Sequence, residues 1–361
     1  MLGFLIPAEV SSNLNAPLPS LGVRERRSGH CTSDDGAPSK PDPRPRLPQP
    51  HRRLSEGFMR PVEIGLVLPM GDTFVDGSTA RWVDIRDLAM RAEELGFDTV
   101  WTADELLWRP ADGRPQGWWE GVAMTAAVAA ATSRVKVGTW ILSALHRNPG
   151  ITAKAVETID EVSGGRFVFG LGSGHAGRQA HAFGLPEDHV YSRFEEALRI
   201  IIPLLRQGRA DFEGTFHAAR DLEQRPLGPR PGRIPIMIGA SGPKMLRQAA
   251  LHADIWSWYV QERSDLAEFG PRLAALEAAC AEVGRDPATI GKSAGIVVEP
   301  TSFSGSEAVF GPPVRGTATE IADALRAFGA AGYTNLELVL WPPTLAALDA
   351  LAPVIQMLDA D

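Results

Sequence analysis

The chain has 361 residues, enough for one large or two ordinary domains, and its 44% hydrophobic and 22% charged content is globular. A net charge of −8 leaves no electrostatic footprint for nucleic acid or an anionic membrane, and no apolar run approaches the roughly 18–20 residues of a membrane span. Cys31 and Cys280 have neither metal nor redox spacing, which fits a reducing cytoplasm.

Residues 1–58 read differently from the rest. "MLGFLIPAEV" is apolar but short and lacks the basic start of a signal peptide. "DDGAPSKPDPRPRLPQPHRR" is Pro-rich and without apolar periodicity, so it cannot bury enough surface to offset the entropy of ordering it. A disordered leader or a mis-assigned start is expected, with Met59 as the alternative start and a regulatory tail as the functional alternative. The domain proper is expected over 59–361.

From Val62 onward, short apolar runs alternate with helical patterns. Strand "VEIGLVLP" (62–69) precedes helix 81–96, which Gly96 closes as a C-cap. Strand 97–101, helix 119–132, strand 134–140, helix 151–165 and strand 166–172 follow. The next helix, 191–208, carries Pro203, where a kink or early break is expected. An interruption at 209–233 contains a hairpin-like "ADFEGTFHAA" and a Pro/Gly-rich loop. Strand 234–240, helix 243–253, strand 254–258, helix 265–284 with Pro271 inside, strand 292–299, helix 318–332, strand 335–340 and helix 344–358 complete the series.

Eight strand–helix units imply a parallel sheet and match an α/β fold, the (β/α)8 TIM-type barrel, with an insertion after strand four. A Rossmann sheet is the alternative, because "RFVFGLGSGHAG" (166–177) spells G-x-G-x-x-G with Gly172, Gly174 and Gly177. That fold wants an acid on the ribose about 20 residues later, at a strand end. Glu187, Asp188 and Glu195 fall in a loop or helix instead.

Barrel chemistry sits where strands end. After strand two stand Asp104 and Glu105; one could orient and the other act as acid or base, or Asp104 could simply cap a helix. After strand three, His146 and Arg147 could bind an anion, while Asn148-Pro149-Gly150 reads as a turn opening the next helix. After strand four, Gly172, Ser173 and Gly174 could cradle a phosphate, and His175 could act as acid, base or donor; a plain glycine turn is the bland reading. After strand five, Gly239, Ala240, Ser241 and Gly242 lead straight into a helix, a ready anion site, or a tight turn with Pro243 opening the helix. "WSWY" (256–259) offers aromatic surface or core. No nucleophile elbow and no H-x-H or H-E-x-x-H is present.

Taken together, "GFDTVWTADE", "RVKVGTWILSALHRNP", "SGGRFVFGLGSGH", "RFEEALRIIIPLL" and "RIPIMIGASGPKMLRQAALHADIW" resemble the bacterial luciferase-like superfamily of FMN-dependent monooxygenases and coenzyme F420-dependent oxidoreductases. The resemblance runs in order over about 60–361 and leaves the leader uncovered. It implies a flavin or deazaflavin at the C-terminal mouth of the barrel, with a non-prolyl cis peptide at Trp140–Ile141 behind its ring. It implies phosphate contacts at Ser173, Gly174 and the 239–242 turn; a dry pocket lined by Trp101, Trp108 and Trp140 is expected beside them. Many members carry His after the strand-two acid and Glu after the strand-four glycines; here Glu105 and His175 stand at exchanged places. The expected activity is hydride transfer between coenzyme F420 and a small organic substrate, with Glu105 or His175 managing the proton. The alternatives are a reduced-FMN monooxygenase, which needs a reductase partner, and a catalytically silent flavin-binding barrel. The resemblance also allows a homodimer.

Overall fold

Eight short apolar stretches of this chain form parallel strands that close on themselves. They are β1 (Glu63–Val67), β2 (Thr99–Thr102), β3 (Lys136–Thr139), β4 (Phe167–Gly172), β5 (Ile236–Gly239), β6 (Ile255–Tyr259), β7 (Gly291–Pro300) and β8 (Asn335–Leu340). Each pairs with the next, and β8 pairs with β1, Glu63 standing opposite Asn335. A closed ring excludes the open Rossmann sheet. The computed structural model describes residues 60, 62–72, 78–108, 115–259, 263–303 and 312–360. The expected 1–58 leader, Met59 and Cys31 lie outside the described residues.

The main helices following the strands in chain order are α1 (Trp82–Leu95), α2 (Gly121–Ala131), α3 (Pro149–Val162), α4 (Val190–Gln207), α5 (Pro243–His252), α6 (Leu266–Glu282), α7 (Ala318–Ala330) and α8 (Ala352–Asp359). Local sequence explains their ends. In α1 the residues Ile85, Leu88, Ala89 and Ala92 form one buried stripe, and left-handed Gly96 returns its N–H to the last carbonyls. Asn148 caps α3 by accepting from Gly150 and Ile151, as the Asn-Pro-Gly turn leads one to expect. Thr317 and Glu320 close a capping box on α7.

Two expectations are corrected. Of the kink or early break expected at Pro203, the break does not occur: α4 runs on to Gln207. Its buried stripe of Phe194, Ala197, Leu198, Ile201 and Leu205 holds the helix through the proline, each such large side chain stabilising by about 1.5–3 kcal/mol. The expected single helix 344–358 is two, Leu345–Asp349 and α8, because a proline in the first turn of α8 cannot continue an earlier helix. The insertion after β4 holds a short helix, Arg178–Phe183, besides α4 and the antiparallel pair Arg209–Glu213 with Ala218–Glu223.

The barrel axis is filled by two tryptophans set against glycines. A Cβ on Gly65 would lie 2.2 Å from the Trp101 indole nitrogen, and one on Gly138 would lie 2.1 Å from its ring. Trp101 is therefore enclosed within the barrel with Val168 and Met237, 1% exposed, rather than lining the mouth as expected. One level higher, Trp140 lies across Gly295, whose Cβ would sit 2.1 Å from the ring.

Candidate active site

The two acids after β2 have opposite surroundings. The Asp104 side chain is fully buried. It accepts two hydrogen bonds from Arg147, both at 2.7 Å, and one from the Ser143 backbone N–H at 2.9 Å, with the His146 Nδ1 at 3.2 Å. Burial alone would raise its carboxyl; the bonds and charges of Arg147 and His146 outweigh that and hold it at about 2. Arg147 also reaches Glu120, the residue capping α2. Asp104, His146 and Arg147 thus tie the loop after β2 to the loop after β3. The arginine and histidine read as candidate anion ligands are bonded to this acid.

Glu105 points the other way. Its side chain is about a third exposed, and one oxygen lies 3.4 Å from the His175 Nδ1. The other accepts from the Gln179 Nε2 at 2.8 Å. The Gln179 Oε1 in turn accepts from the backbone N–H groups of Leu106 and Leu107, each at 2.8 Å. Gln179 is buried on the short helix that starts after Gly177, so a fixed amide holds the Glu105 carboxylate in place. The hydrogen bond to Glu105 raises the His175 imidazole, burial opposes it, and the Glu105 charge adds to the rise. Sequence reasoning missed Gln179; its position four residues beyond His175 was the only signal, and it named no partner.

The Trp140–Ile141 peptide is cis, as the resemblance implied. Both side chains enter the barrel mouth. The Trp140 Nε1 donates to the Ser257 hydroxyl at 3.0 Å, and its ring meets Tyr259 edge-on at 6.2 Å. Ile141 occupies the space of missing side chains: a Cβ on Gly172 would fall 2.7 Å from its Cδ1, and one on Gly239 would fall 2.2 Å from the same atom. These two glycines were expected to admit a ligand. They admit Ile141, and in doing so bring the ends of β4 and β5 against one side chain.

Ser173 and Gly174 follow on the half-exposed lip beyond β4. Gly174 has φ +82°, and a Cβ there would lie 2.2 Å from the Ser143 Oγ, a buried hydroxyl with no partner among the described residues. After β5, the Trp256 indole N–H holds the Ala240 carbonyl at 2.9 Å. Ser241 is exposed, and Gly242 begins α5 without a side-chain cap. The first N–H groups of a helix have no partner within it and favour negative charge. The β5 turn therefore suits a phosphate, and the glycine lip beside it leaves backbone within reach. Of "WSWY", Trp256, Ser257 and Trp258 are core and Tyr259 is 45% exposed. The Trp108 side chain lies outside the described residues. Among the described residues no cluster of His, Cys, Asp and Glu is fit to hold a metal, and no helix is long and apolar enough to cross a membrane.

Residues 62–304 match the model of the family described as luciferase-like monooxygenase. An F420-dependent glucose-6-phosphate dehydrogenase from Amycolatopsis mediterranei is 34% identical over 178 residues, 47% of this chain and 51% of that one. The chain spans about half the length of the curated relatives it matches. Among solved structures, an F420-dependent secondary alcohol dehydrogenase in complex with an F420–acetone adduct superposes with a TM-score of 0.69 at 18% identity, over 83% of this chain and 99% of that one. A long-chain alkane monooxygenase superposes with a TM-score of 0.70 at 14% identity, over 84% and 92%. Identities this low speak for the barrel fold alone.

Proposed function

The chain belongs to the luciferase-like monooxygenase family, and on that premise we propose that it is an oxidoreductase that transfers hydride between coenzyme F420 and a small organic substrate. The contact between Glu105 and His175, 3.4 Å apart at the mouth of the barrel, carries this reading. A carboxylate and an imidazole in contact, one fixed by Gln179 and the other three-quarters exposed, can hold or release a proton near neutral pH. Similarity to F420-dependent dehydrogenases supports the choice of coenzyme.

The residues that would hold the coenzyme are Ser173 and Gly174 after β4 and the 239–242 turn opening α5, toward its phosphate, with Trp140 and Ile141 behind the ring. When bound, the coenzyme supplies the ring that gives or accepts hydride. The protein orients: the Gly172 and Gly239 spaces fix Ile141, and Ser257 fixes the Trp140 edge. Glu105 and His175 manage the proton on the substrate side. Asp104, buried and bonded to Arg147, keeps the β2 and β3 loops in register instead of touching substrate.

A reduced-FMN monooxygenase is the second reading, favoured by the description of the family itself. It would draw on a flavin reductase as partner. A catalytically silent flavin-binding barrel is the third. A cytoplasmic homodimer belongs to the same proposal. Calorimetric titration of the purified protein with F420 and with FMN tests the assignment. Tight binding of F420 followed by turnover is expected. Binding of FMN alone would overturn the first reading, and binding without any hydride or oxygen chemistry would establish the silent barrel.

A further inference from the structure

A line of hydrogen bonds runs from Trp140 into the barrel axis and ends on an acid that the proposed chemistry does not use. The Trp140 Nε1–H donates to the Ser257 hydroxyl at 3.0 Å. The Ser257 and Ser293 hydroxyls lie 3.3 Å apart, and Ser293 bonds to the carboxylate of Glu337. The strand register builds this line: Ser257 stands opposite Ser293 across β6 and β7, and Gly295 opposite Glu337 across β7 and β8. Trp140 lies over Gly295, so the indole and the acid share one bare stretch of β7.

An indole nitrogen can only donate, which fixes the direction of the line at its upper end. With Glu337 ionised, the Ser293 hydroxyl donates to the carboxylate and not to Ser257. With Glu337 protonated, the acid itself can donate to Ser293. The Ser293 proton then turns toward Ser257, which already accepts from Trp140. The two charge states of Glu337 therefore change what Ser293 presents to the Ser257 hydroxyl, the indole's acceptor.

We propose that Glu337 is a positioning residue for Trp140, its carboxyl group ordering the Ser293 and Ser257 hydroxyls so that the indole is held at the barrel mouth. Burial pushes the Glu337 carboxyl up to about 8, the Ser293 bond opposes the rise, and the Glu63 charge adds to it. The charge of the acid thus changes in the neutral range. Among the described residues, the charge that acts on it is that of Glu63. From β1 comes Glu63, paired with Lys136 of β3 at 2.5 Å and accepting from Asn335 of β8 at 2.9 Å. The cluster of Trp101, Val168 and Met237 inside the barrel is uncharged. The consequence for coenzyme binding rests on the proposed function; the coupling of Glu337 to Trp140 does not.

The test is the indole N–H resonance of Trp140 in protein labelled with 15N-tryptophan, assigned by its loss in Trp140→Phe and followed against pH. In the unmodified protein it is expected to move along one sigmoid centred near 8. In Glu337→Gln and in Ser257→Ala it is expected to stand still while the remaining tryptophan resonances keep their folded positions. A static resonance in the unmodified protein, or the same sigmoid in Glu337→Gln, would overturn the proposal. Should Glu337→Gln fail to fold, Ser257→Ala carries the test, since it cuts the line without touching the acid. Titration of the same samples with F420 and FMN separates the two ideas. Absence of binding with the sigmoid intact sinks the proposed function alone.

Discussion

Glu105 and His175 come from the ends of two different strands and stand 3.4 Å apart. The contact raises the affinity of His175 for its proton, through the Glu105 hydrogen bond first. The sign follows: with its acidity weakened by a partner, His175 holds its proton to higher pH than a free histidine, and the pair is lost as pH rises through that shifted value. NMR titration of the His175 ring should place it above an ordinary histidine. In Glu105→Gln it should fall back toward the ordinary value. An unchanged His175 titration in Glu105→Gln would show that the two do not interact in solution.

The buried Asp104–Arg147 pair should be a large stability element. Removing the arginine leaves an uncompensated buried carboxylate, which costs about 3–5 kcal/mol. Arg147→Ala should therefore lower the urea midpoint strongly, and Arg147→Lys, which loses the two-pronged bond, should recover only part of it. Because the Asp104 carboxyl is held at about 2, its contribution is present above the ordinary carboxylate value and is lost as pH falls toward 2. The acid-side loss assigned to this group should be about 2 kcal/mol and should vanish in Asp104→Asn.

Ile141 and Gly239 should be energetically coupled. A Cβ on Gly239 meets the Ile141 Cδ1 at 2.2 Å, so Gly239→Ala should cost about 1–3 kcal/mol by overpacking. Ile141→Val removes that terminal carbon at about 0.5–1.5 kcal/mol by itself. The double variant should be more stable than the sum of the singles, as measured by denaturant unfolding. Gly242→Ala, with open space around the added carbon, should be nearly neutral. Simple additivity at 141 and 239 would mean that the side chain does not sit where the structure puts it.

Gln179 should be needed to hold the loop that carries Glu105. Its carbonyl oxygen is the acceptor for the Leu106 and Leu107 N–H groups. Gln179→Leu leaves both unpaired, at a cost of about 1–3 kcal/mol for each that stays buried. Hydrogen exchange at Leu106 and Leu107 should accelerate while the strand amides of β2 keep their protection. Unaltered exchange at those two amides would remove Gln179 from its supporting role.

Much of this was legible in one dimension. The alternation of apolar runs and helical stripes fixed eight strand–helix units, because the repeats of two and of 3.6 residues are local properties of the chain. The capping of α3 at Asn148 and the closure of α1 at Gly96 were local in the same way. The early break allowed for at Pro203 did not occur, because its effect depends on the buried face of α4, which a proline rule does not weigh. The residues at strand ends could be named as candidates, and so could the cis peptide site, because the family pattern fixes position along the chain.

Which candidates touch was decided elsewhere. Asp104 and Glu105 are neighbours in sequence, yet one is sealed against Arg147 and the other reaches His175. Nothing in the dipeptide distinguishes them; the difference comes from loops brought in more than forty and seventy residues away in the chain. The glycines after β4 and β5 read as room for a ligand, and only the closed barrel shows Ile141 filling that room. Glu337 was one letter in an apolar strand until strand register set it opposite Gly295, within reach of Ser293. The sequence by itself determined the barrel and the strand ends where its chemistry lies, since these follow from local periodicity. The tertiary structure decided the partners, since burial and charge pairing arise only when distant segments exclude water together.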